Sequence, residues 1–230
     1  MAKRKDSTEE RIVAVEEALS KSEQFIERNQ KILTIVVAAI VLIVLVVIGY
    51  RKFIVQPKEK NAASAMFMAE RYFEKDSFNL ALHGDGYYPG FLEIIDDYGI
   101  TESAELAEYY AGISYMHLGD YESAAEYLEK YSGDDQIVSS MALGALGDAY
   151  IEMGDLEKGV DHYVKAAKTN QNDFISPPFL MKAGWGYELM DEWDRALDMY
   201  ETIKEEYPKS RESANIEKFI ARAKAKIGEE

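Results

Sequence analysis

The stretch "ALHGDGYYPGFLE", Ala81 to Glu93, gathers three glycines, a histidine, an aspartate and two tyrosines into a short span. Glycine, histidine and acid at this density suit a phosphate cradle, a metal site or a bare turn. The rest of the chain has to supply the partners for any such chemistry. His83, His117 and His162 are the only histidines, they are far apart, and none sits in a metal-ligand spacing such as HExxH. No GxSxG, Walker A or GxGxxG pattern occurs, and there is no cysteine to give a thiolate ligand or a disulfide. Carboxylates are plentiful but fall along helical patterns at solvent positions, so no acid pair stands out as catalytic. The sequence predicts no enzyme, no metal site, no cofactor and no small-molecule substrate.

The elements that would position any site begin with "ILTIVVAAIVLIVLVVIGY", Ile32 to Tyr50, which carries no charge. At ~1.5 Å per residue this run reaches across the ~30 Å of a hydrocarbon core, so it is expected to be a transmembrane helix. Lys31 before it and Arg51 and Lys52 after it suit the headgroup layers. A mixed-charge segment precedes it and "YRKFIVQP" follows it, without a small-residue cleavage site, which favours an uncleaved anchor over a signal peptide. Lys21, Arg28 and Lys31 on one side nearly balance Arg51, Lys52, Lys58 and Lys60 on the other, so charge leaves the topology open.

Residues 1–31 open with "MAKRK"; Ser7 with Glu10 forms a capping-box pattern, and Ile12, Val15, Leu19, Ser22 and Ile26 repeat at helical spacing. An amphipathic helix follows from this, with or without a docking partner. Residues 51–61 read as a juxtamembrane linker. Beyond the anchor the chain is acidic: Phe53 to Ile203 holds 10 basic and 29 acidic residues, within an overall net charge of -16. That excess argues against binding nucleic acid or anionic lipid through this body.

The body repeats. "YYAGISYMHLGDYESAAEYLEKY" (Tyr109 to Tyr131) aligns with "LGALGDAYIEMGDLEKGVDHYVKAA" (Leu143 to Ala167), so that Gly112 meets Gly147, Tyr115 meets Tyr150, Gly119-Asp120 meets Gly154-Asp155 and Leu128 meets Tyr163. A third copy supplies Gly184, Tyr187, Trp193, Ala196, Tyr200 and Pro208, with Asp191 in place of the turn glycine. A period of ~34 residues with these small and large positions resembles tetratricopeptide repeats, in which small residues let paired helices approach and large ones fill the gap. A weaker first copy starts at Ala62 and offers Ala65, Ala69, Tyr72 and Ala81 before "HGDGYYPG" interrupts its second helix, which resumes near Phe91. Ile216, Phe219, Ile220, Ala223 and Ile227 form the apolar stripe of a closing helix. The expected fold is therefore all-α: an amphipathic segment (1–31), a transmembrane helix (32–50), a linker (51–61), an α-solenoid of about four helix pairs (62–212, divided near 62–103, 105–139, 140–176 and 177–210) and a C-terminal capping helix (213–230).

Such arrays present a concave surface lined by the first helix of each pair. Repeat register assigns Tyr109, Ile113, Met116 and His117, then Met141, Asp148, Ile151 and Glu152, then Met181, Trp185 and Leu189 to that surface, giving an apolar groove with an acidic fringe. Methionines and aromatics adapt to varied apolar partners, which suits unfolded or hydrophobic segments; the same side chains could instead pack against neighbouring helices. Lys182 is the only inward-facing lysine, and Asp148 and Glu152 oppose an anionic tail, so a carboxylate clamp is disfavoured. In "ALHGDGYYPGFLE", Gly84, Gly86, Pro89 and Gly90 break the helix. Tyr87 and Tyr88 either contact a membrane partner or fold back over the first repeat as a cap.

The order of "SEQFIERNQK", one apolar helix, "RKFIVQP", "FEKDSFNLALHGDGYYPGFLEIIDDYG" and "LAEYYAGISYMHLGDYESAAEYLEKY" resembles the YfgM-like membrane-anchored tetratricopeptide proteins in the form found in Bacteroidota. The resemblance implies an inner-membrane protein with a cytoplasmic N-terminus and periplasmic repeats near the Sec translocon. There it would bind emerging polypeptides, translocon subunits or periplasmic chaperones, as a chaperone-like adaptor. A scaffold for an envelope assembly complex with one fixed partner is the alternative.

Overall fold

The computed structural model describes the backbone of residues 3–228 and the side chains of residues 25–228. Every regular element among these residues is helical, and the chain divides into two compact units, residues 1–56 and 57–230.

In the first unit, α1 runs from Lys3 to Tyr50 as one helix and passes into a π-helical turn at Arg51–Val55. Ser7 therefore lies inside a helix rather than at its start, which corrects the capping-box reading. The amphipathic stripe expected of Ile12, Val15, Leu19 and Ser22 falls outside the described side chains. From Ile32 onward α1 is long and apolar enough to cross a membrane, and no part of that stretch is covered by protein. The hydroxyl of Thr34 is satisfied within the helix, as hydrocarbon requires, donating to the Gln30 carbonyl at 2.8 Å. Residues 51–61, expected to be a linker, are helical throughout, because α2 (Gln56–Phe73) begins directly after the π turn. Pro57, which has no N–H to give, stands directly after the π turn of this continuous helix.

In the second unit α2 packs with two short helices, α3 (Phe78–His83) and α4 (Phe91–Tyr98), around Met66, Ala69, Leu82, Phe91 and Ile94. Three pairs follow: α5 (Glu102–Leu118) with α6 (Tyr121–Lys130), α7 (Gln136–Glu152) with α8 (Leu156–Thr169), and α9 (Ser176–Leu189) with α10 (Trp193–Glu206). The last helix, α11 (Ile216–Ile227), buries Ile216, Ile220 and Ala223 in the cluster shared with α9 and α10.

The pairs are close because glycine faces a large side chain. A Cβ at Gly112 would meet Leu128, at Gly147 Tyr163 and at Gly184 Tyr200, each below the 3.0 Å that real Cβ atoms keep. The turns inside the pairs are equally specified. Gly119 (φ 79) and Gly154 (φ 83) take the left-handed conformation, and the next residues, Asp120 and Asp155, cap α6 and α8 by accepting from Ser123 N and Lys158 N at 3.1 and 3.2 Å. In the last pair Asp191 adopts the same conformation at φ 58, and Glu192 makes no side-chain cap. Replacing Gly184 by Ala should therefore lower the unfolding free energy by about 1–3 kcal/mol in a urea titration, through displacement of the fully buried Tyr200. Asp191→Gly should raise it by up to about 1 kcal/mol, because glycine adopts the left-handed turn without a Cβ penalty.

Candidate functional site

The first helices of the pairs carry the residues assigned by register, and packing has sorted them. On α5, Tyr109, Ile113 and Met116 are half-buried against the Ala124, Leu128 and Leu146 cluster, with the Tyr109 ring 6.0 Å from that of Tyr131. Burial pushes the Tyr109 phenol above its usual pKa. His117 lies flat on Phe78 of α3, ring centroids 4.2 Å apart, so it is engaged with the first repeat. On α7, Met141 is exposed, Ile151 half-buried and Glu152 exposed.

Two assignments need correction. Met181 is only 7% exposed and belongs to the core cluster of α8 to α11, so it cannot line a groove. Asp148 is no fringe acid: its carboxylate receives Lys182 Nζ at 2.7 and 2.8 Å and the hydroxyl of buried Tyr163. Burial, then this bond to Asp148, hold the Tyr163 phenol far above its usual range. Lys182 is consumed by the same pair, which leaves it no isolated charge with which to clamp a terminal carboxylate.

The structure brings Ile151, Trp185 and Leu189 together. They line a shallow cavity of about 230 Å³ with Tyr163, Lys182 and Gly186 between α7, α8 and α9. Trp185 is 45% and Leu189 67% exposed, a large uncovered apolar area for the interior of an array. Beyond Trp185 the surface continues to Phe219 of α11, ring centroids 6.3 Å apart. Arg222 lies over that ring and reaches Glu188 at 2.6 Å, while Tyr200 also donates to Glu188 at 2.7 Å. The terminal helix is thus bolted to the groove wall. Sequence register missed Tyr163 and Phe219 because both come from outside the first helices; the apolar stripe of α11 was the available signal for Phe219.

The acidic fringe lies elsewhere, in a cavity of about 350 Å³ lined by Glu102, Glu105, Leu106, Tyr131, Asp134 and Asp135. Burial first, and then Glu102, Asp134 and Glu59, raise the Glu105 pKa.

His162 of α8 stacks on Tyr150 at 5.4 Å, and its Nδ1 is buried without a hydrogen-bond partner. The Tyr150 hydroxyl donates to Glu129 of α6 at 2.6 Å, which pushes its pKa up to about 12. Burial lowers the His162 pKa below its ordinary 6.5, an effect reinforced by Lys165 and Lys158 and opposed by Glu129 and Asp161. A depressed histidine contributes stability that is present above the unfolded value and lost as pH falls through the folded one. Glu70, Glu105 and Glu108, whose pKa values burial raises, act in the opposite direction, so the test is a difference. Between pH 7 and 5 the unfolding free energy of wild type should fall relative to that of His162→Gln, measured by denaturant titration at each pH.

Residues 106–133 and 179–210 match one tetratricopeptide repeat model and residues 142–173 match another. A TPR repeat-containing protein of Methanocaldococcus jannaschii is 29% identical over 136 residues, which is 58% of this chain and 23% of that protein, so the chain spans less than a quarter of its length. Among solved structures, nearly identical TPR-like repeats from Podosopora anserina superpose with a TM-score of 0.54 at 16% identity, covering 74% of this chain and 88% of theirs. MamA protein does so with a TM-score of 0.53 at 20% identity, covering 73% and 92%. At such identities the structural likeness speaks for the fold, and the three matched segments coincide with the helix pairs α5/α6, α7/α8 and α9/α10. Residues 106–133, 142–173 and 179–210 of this chain are tetratricopeptide repeats.

Proposed function

We propose that the protein is a membrane-tethered interaction module that holds emerging polypeptides or folding factors beside a translocon. The observation that carries this reading is the cavity of Ile151, Trp185 and Leu189, which leaves an indole and a leucine uncovered next to a cation already neutralised by Asp148. Such a surface rewards apolar side chains of many sequences and asks for no fixed charge. Tyr109, Ile113, Met116 and Met141 extend it along the array. Binding through single shallow contacts is weak and multivalent, which lets a client leave.

The uncovered apolar run of α1 supports a single-pass anchor. Its orientation, with the N-terminus in the cytoplasm and the repeats in the periplasm of a bacterial inner membrane, follows from the YfgM-like resemblance. No catalytic role is proposed, and Ile151, Trp185 and Leu189 act as binding residues only.

A photocrosslinking amino acid placed at Leu189, in the full chain in its membrane, is expected to give a ladder of many products. A single sharp product would replace client binding by the fixed-partner scaffold. Trp185→Ala in the same background should thin the ladder without changing thermal unfolding by more than a few degrees. A reporter fused after Glu230 that is active only in the cytoplasm would overturn the translocon-exit location.

A further inference from the structure

The break between α3 and α4 is a built loop rather than a slack one. Asp85 Oδ1 accepts from the amides of Tyr87 and Tyr88 at 2.9 and 2.8 Å, and its Oδ2 accepts from the Tyr72 hydroxyl of α2 at 2.7 Å. The Asp85 amide returns to the Tyr88 carbonyl at 3.3 Å, and the Gly84 amide closes α3 on the Leu80 carbonyl at 2.8 Å. Gly84 (φ 73) and Gly86 (φ 87) hold conformations that side chains rarely adopt, and a Cβ on Gly84 or Gly90 would strike backbone. Leu82 and Phe91, both fully buried, pin the two ends.

On this fixed frame Tyr87 is 82% and Tyr88 42% exposed, and their rings meet edge to face at 4.7 Å. Neither joins the core below, which Met66, Leu82, Phe91 and Ile94 fill. They do not fold back as a cap. Repeat packing does not require the insertion either, since α6, α8 and α10 make the same layer as unbroken helices. A rigid loop that displays two bare aromatic rings has already met the ordering cost that a binding loop normally meets on association.

The surroundings define what fits. Around the loop the exposed acids Glu74, Asp76, Asp85, Glu93, Asp96 and Asp97 outnumber the cations Lys75, Arg71, which pairs with Glu74 at 3.6 Å, and Lys58, which donates to the Asp97 carbonyl. A cation is drawn to this field, and tyrosine faces favour the flat guanidinium over other cations. The same carboxylates repel an anionic bilayer surface. We propose that the Asp85-locked loop is a preformed docking point at which Tyr87 and Tyr88 receive arginine side chains from a basic protein partner. This contact is independent of the groove, and its loss would leave the Trp185 surface intact.

The probe is labelled octa-arginine, titrated by fluorescence anisotropy into the full chain in neutral detergent micelles. Tyr87→Ser with Tyr88→Ser is expected to weaken binding about tenfold, while Tyr87→Phe with Tyr88→Phe keeps wild-type affinity and both retain cooperative unfolding. Equal affinity of wild type and the double serine variant would overturn the proposal, leaving general charge attraction only. A reading that does not depend on removing the rings comes from Tyr87→Trp, whose added emission octa-arginine should change. An unchanged emission overturns the proposal, and so does quenching of that emission in nanodiscs of brominated lipid, which would make the bilayer the occupant.

Discussion

The close approach of each first helix to its second, at Gly112, Gly147 and Gly184, is the constraint on which the rest of the array depends. At each site the space of a missing Cβ is taken by Leu128, Tyr163 or Tyr200. In the last two pairs the large residue is a tyrosine, and its ring, pressed into the glycine, delivers a hydroxyl to the first helix of its own pair. Tyr163 reaches Asp148 and Tyr200 reaches Glu188. Each of these acids also receives a cation 34 residues further along, Lys182 for Asp148 and Arg222 for Glu188. One packing contact thus organises a polar link to the next element. Through Arg222, α11 occupies the place that the first helix of a further repeat would take.

These links do little for net stability, because the charges are partly exposed and such pairs contribute about 0–1 kcal/mol. Their effect is on register and on what remains available for binding. Asp148 and Lys182 neutralise one another in the middle of the concave side, so the neighbouring surface of Ile151, Trp185 and Leu189 is left apolar. Negative charge collects instead at the start of α5, where exposed Glu102 and Asp134 and half-buried Glu105 have no ion-pair partner among the described residues. The array therefore separates apolar and acidic surface along its length.

The first repeat departs from the others at its second helix. Here α3 and α4 divide the work that α6, α8 and α10 do singly, and the connection carries its own hydrogen-bonded frame around Asp85. What looked in sequence like a concentration of catalytic residue types serves backbone geometry: Gly84 and Gly86 supply positive-φ conformations, Gly90 lets the Leu82 carbonyl approach, and the aspartate accepts three hydrogen bonds. His83 is exposed on the last turn of α3.

The sequence by itself determined the helix pairs, their turns and the uncharged run of α1, because each of these is written in local terms. Small and large residues recur at ~34-residue spacing, glycine followed by aspartate ends one helix and caps the next, and hydropathy reports on a single helix. Even the interruption before Phe91 was legible from its glycines. Side-chain availability was not, because it depends on neighbours a repeat away. Met181 and Trp185 lie one turn apart on α9, yet Met181 is buried in the core cluster and Trp185 is open. Asp148 reads as a free acid until Lys182 and Tyr163 close on it. Helix phase can place a residue on a face, but only the stacked repeats decide whether that face is covered, and by what charge.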